Sequence, residues 1–140
     1  MDQISQFPSH DACFACGRLK KDGLALVFEA ARDGICCRTM LDSKYQSYDG
    51  IVHGGILASI ADATMVNLVY QRYGGRPLTC NLELRYRAAV HVGDQIVAEA
   101  VLLRTKHRIA WASCRITAGD RLCIEAKAAF KIEHELSINC

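Results

Sequence analysis

The chain has 140 residues, 51% of them hydrophobic, and its 17 basic and 15 acidic side chains give a net charge of +2. This length and composition suit one compact domain, and the small net charge argues against a general electrostatic attraction to nucleic acid or to a membrane surface. There is no apolar leader and no run of roughly 18 apolar residues, so we expect a cytoplasmic protein with no nucleic-acid or membrane partner.

The N-terminal residues 1–23 form an extension that contains a C-x-x-C pair. Cys13 and Cys16 are followed by a glycine, and His10 lies three residues before the first cysteine. This spacing can supply three zinc ligands, whereas a structural zinc site usually has four. The fourth ligand has three candidate sources, which are His134, Cys140 and another subunit. Because no second C-x-x-C is present, we favour packed thiols and predict no bound metal.

From residue 24 the apolar pattern has the period of two that is typical of strands. Segments 24–30 and 35–40 flank Arg32-Asp33-Gly34, a sequence that favours a hairpin turn. The next segment, 41–49, is polar and rich in turn residues, and it includes Gln46 and Ser47. We therefore expect two antiparallel strands followed by a loop.

The loop leads to a predicted helix that begins at Gly54 and Gly55 and continues as an apolar run over 56–73. Its apolar residues cover almost the whole circumference at about 3.6 residues per turn, which indicates burial on most sides. Asp62 is the only charged residue before the last turn, and a carboxylate in this setting must be paired, hydrogen-bonded or functional. The first N–H groups of a helix lack intrahelical acceptors, so a developing oxyanion could bind at the glycines.

Four strand-like segments follow the helix, at 78–87, 95–105, 109–117 and 122–132. In the first of them, alternation predicts one polar face formed by Thr79, Asn81, Glu83 and Arg85, opposite Cys80, Leu82, Leu84 and Tyr86. Short turns favour antiparallel pairing, so the order of elements predicts an α+β fold in which one curved antiparallel sheet wraps around one long central helix. Such a sheet leaves a face or an edge exposed, and we expect a homodimer or a dimer of dimers.

Four stretches carry a resemblance to a known family. Three are Gly50-Ile-Val-His53-Gly54-Gly55 with Asp62 nine residues after the histidine, Pro77-Leu-Thr79-Cys-Asn81-Leu-Glu-Leu-Arg85-Tyr86, and Val92-Gly93-Asp94. The fourth, Cys13-Phe-Ala-Cys16-Gly17 followed by Gly23-Leu24, is similar to the start of one subgroup. In them the sequence resembles the hotdog-fold acyl-CoA thioesterases, especially the phenylacetate-pathway type. The resemblance implies a single hotdog thioesterase domain over 1–140 that hydrolyses acyl-CoA to free acid and CoA without a cofactor.

The resemblance also implies roles for residues of the helix start. The backbone N–H of Gly54, beside Gly55, would bind the thioester carbonyl. Asp62, reaching across a dimer interface, would activate water or attack the carbonyl carbon, and His53 would orient the turn or the substrate. A helix start that stabilises an oxyanion and a carboxylate in an apolar setting are independently suited to these two tasks.

Two further positions follow from the same resemblance. In some relatives an Asn six residues before this histidine positions the water, and here Ser47 occupies that place with Gln46 beside it. Thr79 corresponds to a hydroxyl residue that relatives use near the nucleophile. These three residues are therefore candidates for the catalytic set.

Cationic side chains are candidates for binding the phosphates of CoA, because Arg and Lys pair well with phosphate oxygens. They lie on one predicted strand and at the turn between the next two. The strand supplies Arg85 and Arg87 together with Asn81, and the turn supplies Arg104, Lys106, His107 and Arg108. A turn exposed to solvent, without a ligand, is the alternative for the second group.

Three functions are compatible with these features. The first is an acyl-CoA thioesterase, the second a non-catalytic protein that binds or senses acyl-CoA, and the third a hydratase or dehydratase of the same fold. A protein that only binds acyl-CoA has no need of a buried carboxylate facing the thioester. Asp62 therefore favours hydrolysis.

Overall fold

A computed structural model of the protein describes residues 10–134. The helix and strands follow one another in the order that the sequence predicts. They are β1 (Phe28–Ala31), β2 (Gly34–Met40), α1 (Gly54–Tyr73), β3 (Arg76–Tyr86), β4 (Gln95–Lys106), β5 (Ile109–Ala118) and β6 (Arg121–Glu133), with a short 3-10 turn at Ser43–Tyr45. None of the helices in this part of the chain is long and apolar enough to span a membrane.

The strands form one sheet in the order β1-β2-β4-β5-β6-β3, and every neighbouring pair is antiparallel. Helix α1 lies across the inner face of this sheet and contacts β2 to β6. The predicted architecture, a curved antiparallel sheet around one long helix, is therefore confirmed, and it is the hotdog fold.

Small residues on the inner face of the sheet explain how the helix fits against it. The central strands β4, β5 and β6 place alanines at alternate positions, and all of them are buried: Ala98, Ala100, Ala110, Ala112, Ala126 and Ala128. The space above them is filled by large helix side chains, among them Ile60 and Met65, which are fully buried. Small residues facing large ones give the dense packing that stabilises a single core.

Local hydrogen bonds determine where α1 begins and ends. The ring of His53 caps the N-terminus by accepting a hydrogen bond from the Gly55 N–H, so the helix begins at the predicted glycines. At the other end Gly74 has a φ of 68°, a left-handed conformation that glycine adopts without strain, and its N–H donates to the Tyr70 carbonyl.

Strand β3 corrects one prediction about which residues share a face. A bulge interrupts its pairing with β6 between Thr79 and Asn81. The extra residue reverses the alternation, so Thr79 lies on the helix side with Leu82 and Leu84, while Asn81 lies on the outer face. The prediction that Thr79 and Asn81 share one polar face is therefore wrong.

The first strand is shorter than predicted. It begins at Phe28, because the backbone N–H groups of Leu24 and Leu26 donate to the carbonyls of Phe14 and Ala15 instead of a neighbouring strand. These bonds hold the N-terminal segment against the core, and its Ala15 and Cys16 are buried there.

Strand β3 forms one edge of the sheet over 11 residues. Two of its apolar side chains are largely exposed in the single chain, Leu78 at 46% and Tyr86 at 54%. A long edge strand with exposed apolar residues is a ready surface for pairing with another strand.

Candidate active site

Asp62 lies in the middle of α1, half-buried, with one hydrogen bond to the next strand. The Thr79 hydroxyl donates to its Oδ1 at 2.8 Å. Burial raises the pKa of the Asp62 carboxyl, and the bond from Thr79 acts in the opposite direction because it favours the ionised form. The carboxylate is thus held in place while its affinity for a proton is increased, as a general base requires.

The start of α1 has a backbone donor that the chain does not use. His53 Nδ1 accepts from the Gly55 N–H at 2.8 Å, and the His53 carbonyl accepts from Ile56 and Leu57. Within residues 10–134 the Gly54 N–H meets no acceptor. This N–H lies at the N-terminus of α1, the positive end of the helix macrodipole, where an anionic oxygen is stabilised.

Tyr86 belongs to this helix start, although sequence reasoning assigned it no role. Its hydroxyl donates to the Gly54 carbonyl at 2.8 Å, and its ring lies 3.3 Å from the place that a Cβ on Gly54 would occupy. The available signal was its position on the inner face of β3, in alternation with Leu82 and Leu84.

The loop before the helix places Gln46 beside His53 in one cavity, and Ser47 lies outside that cavity. A shallow cavity of about 330 Å³ is lined by Lys44, Tyr45, Gln46, His53, Gly55 and Ile56. Gln46 Oε1 accepts from the Gly50 N–H at 3.1 Å, which fixes its amide at this cavity. Ser47 is exposed and does not line the cavity, so Gln46 is the better placed of the two candidates for positioning water.

Asp62 opens on a different cavity. This second cavity, of about 240 Å³, lies between α1 and the N-terminal segment; the helix contributes Ser59, Asp62, Ala63, Val66 and Asn67, and the segment contributes His10, Cys13, Phe14, Ala15 and Cys16. Gly54 and Asp62 are eight positions apart in the helix, about 12 Å along the axis. One chain therefore does not bring the Gly54 N–H and the Asp62 carboxylate to one point.

Three predicted substrate-binding residues lie on the outer face of the sheet, away from Asp62. Asn81, Arg85 and Arg87 are exposed there, and a groove of about 610 Å³ includes the two arginines. Arg87 forms an ion pair with Glu125, with its Nη2 and Nε each 2.9 Å from Oε2. An acidic partner reduces its capacity to bind a phosphate, so Arg87 is a poorer candidate than the sequence indicated.

The basic turn between β4 and β5 lies at the C-terminal end of α1. The Tyr73 and Thr105 hydroxyls are 2.6 Å apart, and the Arg104 guanidinium stacks over the Trp111 ring at 4.0 Å. His107 and Arg108 have φ values of 49° and 65°, the geometry of a tight hairpin turn. Lys106 and Arg108 are exposed and form no ion pair with other residues of the described chain.

Comparisons with known proteins agree with this geometry. Residues 49–127, which contain His53, Gly54, Asp62 and Thr79, match the family called Thioesterase superfamily. A Pseudomonas aeruginosa protein named only provisionally as an esterase is 29% identical over 94 residues, which cover 66% of this chain and 70% of that protein. Mouse acyl-coenzyme A thioesterase 13 is 26% identical over 93 residues, which cover 65% of this chain and 66% of that protein.

Among solved structures, a hypothetical thioesterase of Streptococcus pneumoniae, determined with coenzyme A, superposes with a TM-score of 0.70 at 20% identity. The superposition covers 79% of this chain and 90% of that one. At this level of identity the similarity establishes the shared fold.

The cap on α1 gives a stability prediction. Replacing His53 with Ala removes the acceptor of the Gly55 N–H, and we expect a loss of about 1 kcal/mol in the free energy of unfolding. Asn is a good N-cap residue, so His53→Asn should recover most of that loss. Urea denaturation of the three proteins measures both changes, and an Ala variant as stable as the wild type would show that the ring does not act as a cap.

Proposed function

Because the chain belongs to the thioesterase superfamily, we propose that it hydrolyses the thioester of acyl-CoA to the free acid and CoA. The observation that carries the proposal is Asp62, a half-buried carboxylate on the central helix that is held by Thr79 and has a raised pKa. The substrate class is supported by the mouse relative, which is named as an acyl-coenzyme A thioesterase, and by the pneumococcal structure with coenzyme A. The resemblance of residues 50–62, 77–86 and 92–94 is the basis for proposing that the chain belongs with the phenylacetate-pathway type.

The chemistry divides between the two positions on α1. The Gly54 N–H donates to the thioester carbonyl oxygen and stabilises the negative charge that develops there. Asp62 either takes a proton from a water, whose oxygen then adds to the carbonyl carbon, or attacks that carbon itself. The tetrahedral intermediate collapses with cleavage of the C–S bond, and the sulfur of CoA leaves as a thiolate that takes up a proton, on the water route the one that Asp62 removed. If Asp62 itself attacks, an acyl–Asp62 anhydride remains, and a water then hydrolyses it, which releases the free acid and regenerates the carboxylate.

A second copy of the chain completes the site. Gly54 and Asp62 of one chain lie about 12 Å apart along the helix, so they cannot act on the same carbonyl. Strand β3 touches both positions, since Thr79 binds Asp62 and Tyr86 binds Gly54, and it is also an open edge with exposed apolar side chains. Antiparallel pairing of two β3 edges in a homodimer brings Asp62 of one chain toward Gly54 of the other, and a dimer of dimers can form from this unit.

The phosphates of CoA have their best candidates at the basic turn. Lys106 and Arg108 are exposed and form no ion pair with an acidic side chain of residues 10–134, and Arg104 is held against Trp111. Arg85 is the alternative on the outer face of the sheet, where Arg87 is already paired with Glu125.

The mechanism predicts opposite effects of Asp62→Asn on rate and on stability. The Asn side chain has no basic oxygen, so we expect kcat to fall by about a hundredfold to ten-thousandfold. A carboxyl whose pKa is raised by folding destabilises the native state when it is ionised, so at neutral pH the Tm of the variant should equal or exceed that of the wild type. Thiol release from a panel of acyl-CoAs and thermal unfolding measure the two quantities.

Binding of a non-hydrolysable thioether analogue is the control for Asp62→Asn, and it should be unchanged. A variant within a few-fold of wild-type kcat would remove Asp62 from the mechanism. If the wild type binds the analogue tightly but hydrolyses no acyl-CoA in the panel, the protein is an acyl-CoA binder and not an enzyme.

The hydrogen bond from Thr79 predicts a change in the pH dependence of the rate. Activity requires the ionised carboxylate, so it falls as the pH drops through the raised pKa of Asp62. Thr79→Ala removes the bond that favours ionisation, and the acid limb of the kcat/KM profile should move to higher pH. Thr79→Ser retains a hydroxyl and should leave the limb in place; identical shifts in both variants would contradict the role of the bond.

The shared site can be tested by pairing two inactive chains. Gly54→Pro removes the N–H while keeping a residue that is tolerated at the first helical position, and His53, with φ −59° and ψ 132°, has a conformation allowed before proline. The Cβ added at position 54 lies 3.3 Å from the Tyr86 ring, which has to shift slightly to accept it. We expect heterodimers of Gly54→Pro and Asp62→Asn, purified through two different tags, to contain one intact site and to recover about half of wild-type activity. If each site lies within one chain, these heterodimers will be as inactive as either parent.

A further inference from the structure

The cavity beside Asp62 has a second wall whose chemistry the proposed hydrolysis does not use. His10, Cys13 and Cys16 present one ligand atom each, and these three atoms lie within 4.8 Å of one another. His10 Nδ1 is 3.3 Å from Cys16 Sγ. Tetrahedral zinc with typical bond lengths separates a nitrogen from a sulfur ligand by about 3.6 Å and two sulfurs by about 3.8 Å. The three side chains are therefore close to the spacing that zinc requires.

The backbone around the cysteines is folded into a tight turn that fixes this spacing. The Cys13 N–H donates to the His10 carbonyl at 3.0 Å, and the Gly17 N–H donates to the Cys13 carbonyl at 2.8 Å. Gly17 is buried, and a Cβ at that position would collide with the backbone of Cys13 and Asp11. Only glycine fits, so the C-x-x-C-G sequence is needed for a turn that carries the histidine and both cysteines to one side.

Other cysteines of the chain have a different character. Cys37 and Cys114 are buried in the sheet, where loss of solvation raises the pKa of each thiol to about 12. Within residues 10–134, the group at His10, Cys13 and Cys16 is the one set of three or more ligand side chains that has metal-binding geometry. Packed thiols account for the sheet cysteines, but they do not account for the convergence of an imidazole and two thiols on a cavity.

We propose that His10 Nδ1, Cys13 Sγ and Cys16 Sγ bind a zinc ion in the wall of the cavity that Asp62 also lines. Thiolate and imidazole ligands select zinc over calcium or magnesium, which prefer oxygen. The ion fixes the fold of the N-terminal segment, which lines the cavity opposite α1 and has little regular secondary structure of its own.

The fourth ligand comes from the cavity, as a water or a small ligand. His134, one of the sources considered from the sequence, lies near Gly75 at the C-terminal end of α1 and is not part of the group. Cys140, the other, lies outside the described residues. Three protein ligands and one exchangeable position are the arrangement of an open zinc site.

Elemental analysis of the full chain, purified without chelator and without added metal, tests the proposal independently of any enzymatic activity. We expect about one zinc per wild-type chain and less than about one fifth of that in Cys16→Ser and His10→Ala. Cys80→Ser is the matched control, since Cys80 is an exposed thiol outside the group, and it should retain the metal. Cys140→Ser should also retain it, because the fourth position is filled from the cavity.

Two further measurements separate a bound ion from a purification artefact. Removal of zinc with a chelator should lower the Tm of the wild type and of Cys80→Ser, and addition of zinc should restore it, with no such response in Cys16→Ser. Cobalt added to the metal-free wild type should give thiolate-to-cobalt charge-transfer absorption. A wild type that holds no zinc and gives no cobalt absorption would overturn the proposal, and loss of zinc in Cys140→Ser would overturn the open fourth position.

Discussion

The close contact between helix α1 and the alanine-lined face of the sheet is the constraint on which the other features depend. Because the side chains at the centre of the sheet are small, the helix packs close to the sheet backbone. Its apolar residues are therefore buried on almost every side. Asp62 is carried into the same partly desolvated environment, and burial raises its pKa. The property that suits this carboxyl to general base catalysis is thus a consequence of packing, and it is limited by one hydrogen bond from Thr79.

Strand β3 connects this core to the proposed chemistry. A single bulge turns Thr79 toward the helix, and the resumed alternation then brings Tyr86 to the helix start. The same strand is an open edge of the sheet, so Gly54 and Asp62, the two positions of α1 proposed to act in hydrolysis, lie next to the surface where a second chain would pair. This coincidence is the physical basis for proposing a site shared between two subunits, since the helix geometry keeps Gly54 and Asp62 of one chain apart.

The N-terminal segment adds a second influence on the same carboxylate. It contributes Ala15 and Cys16 to the core and supplies one wall of the cavity beside Asp62. A change in the order of this segment therefore alters the volume and solvent access of that cavity. A zinc ion at the three ligands would link the stability of the segment to the surroundings of the carboxylate, although the ion itself takes no part in the proposed hydrolysis.

The sequence by itself determined the class and order of the elements, because strand and helix periods, turn residues and the glycine start of α1 are local signals. It also identified Asp62, as a lone charge on an apolar helix, and Thr79 as its neighbour through family resemblance. Only the tertiary structure decided which face Thr79 occupies, since a bulge arises from pairing with β6 and leaves no trace in the alternation. The tertiary structure was also needed to show that Tyr86 binds Gly54 and that Arg87 pairs with Glu125. It alone showed that the cavity beside Asp62 is also lined by His10, Cys13 and Cys16. Each depends on contacts between residues far apart in the chain, and no local pattern records such contacts.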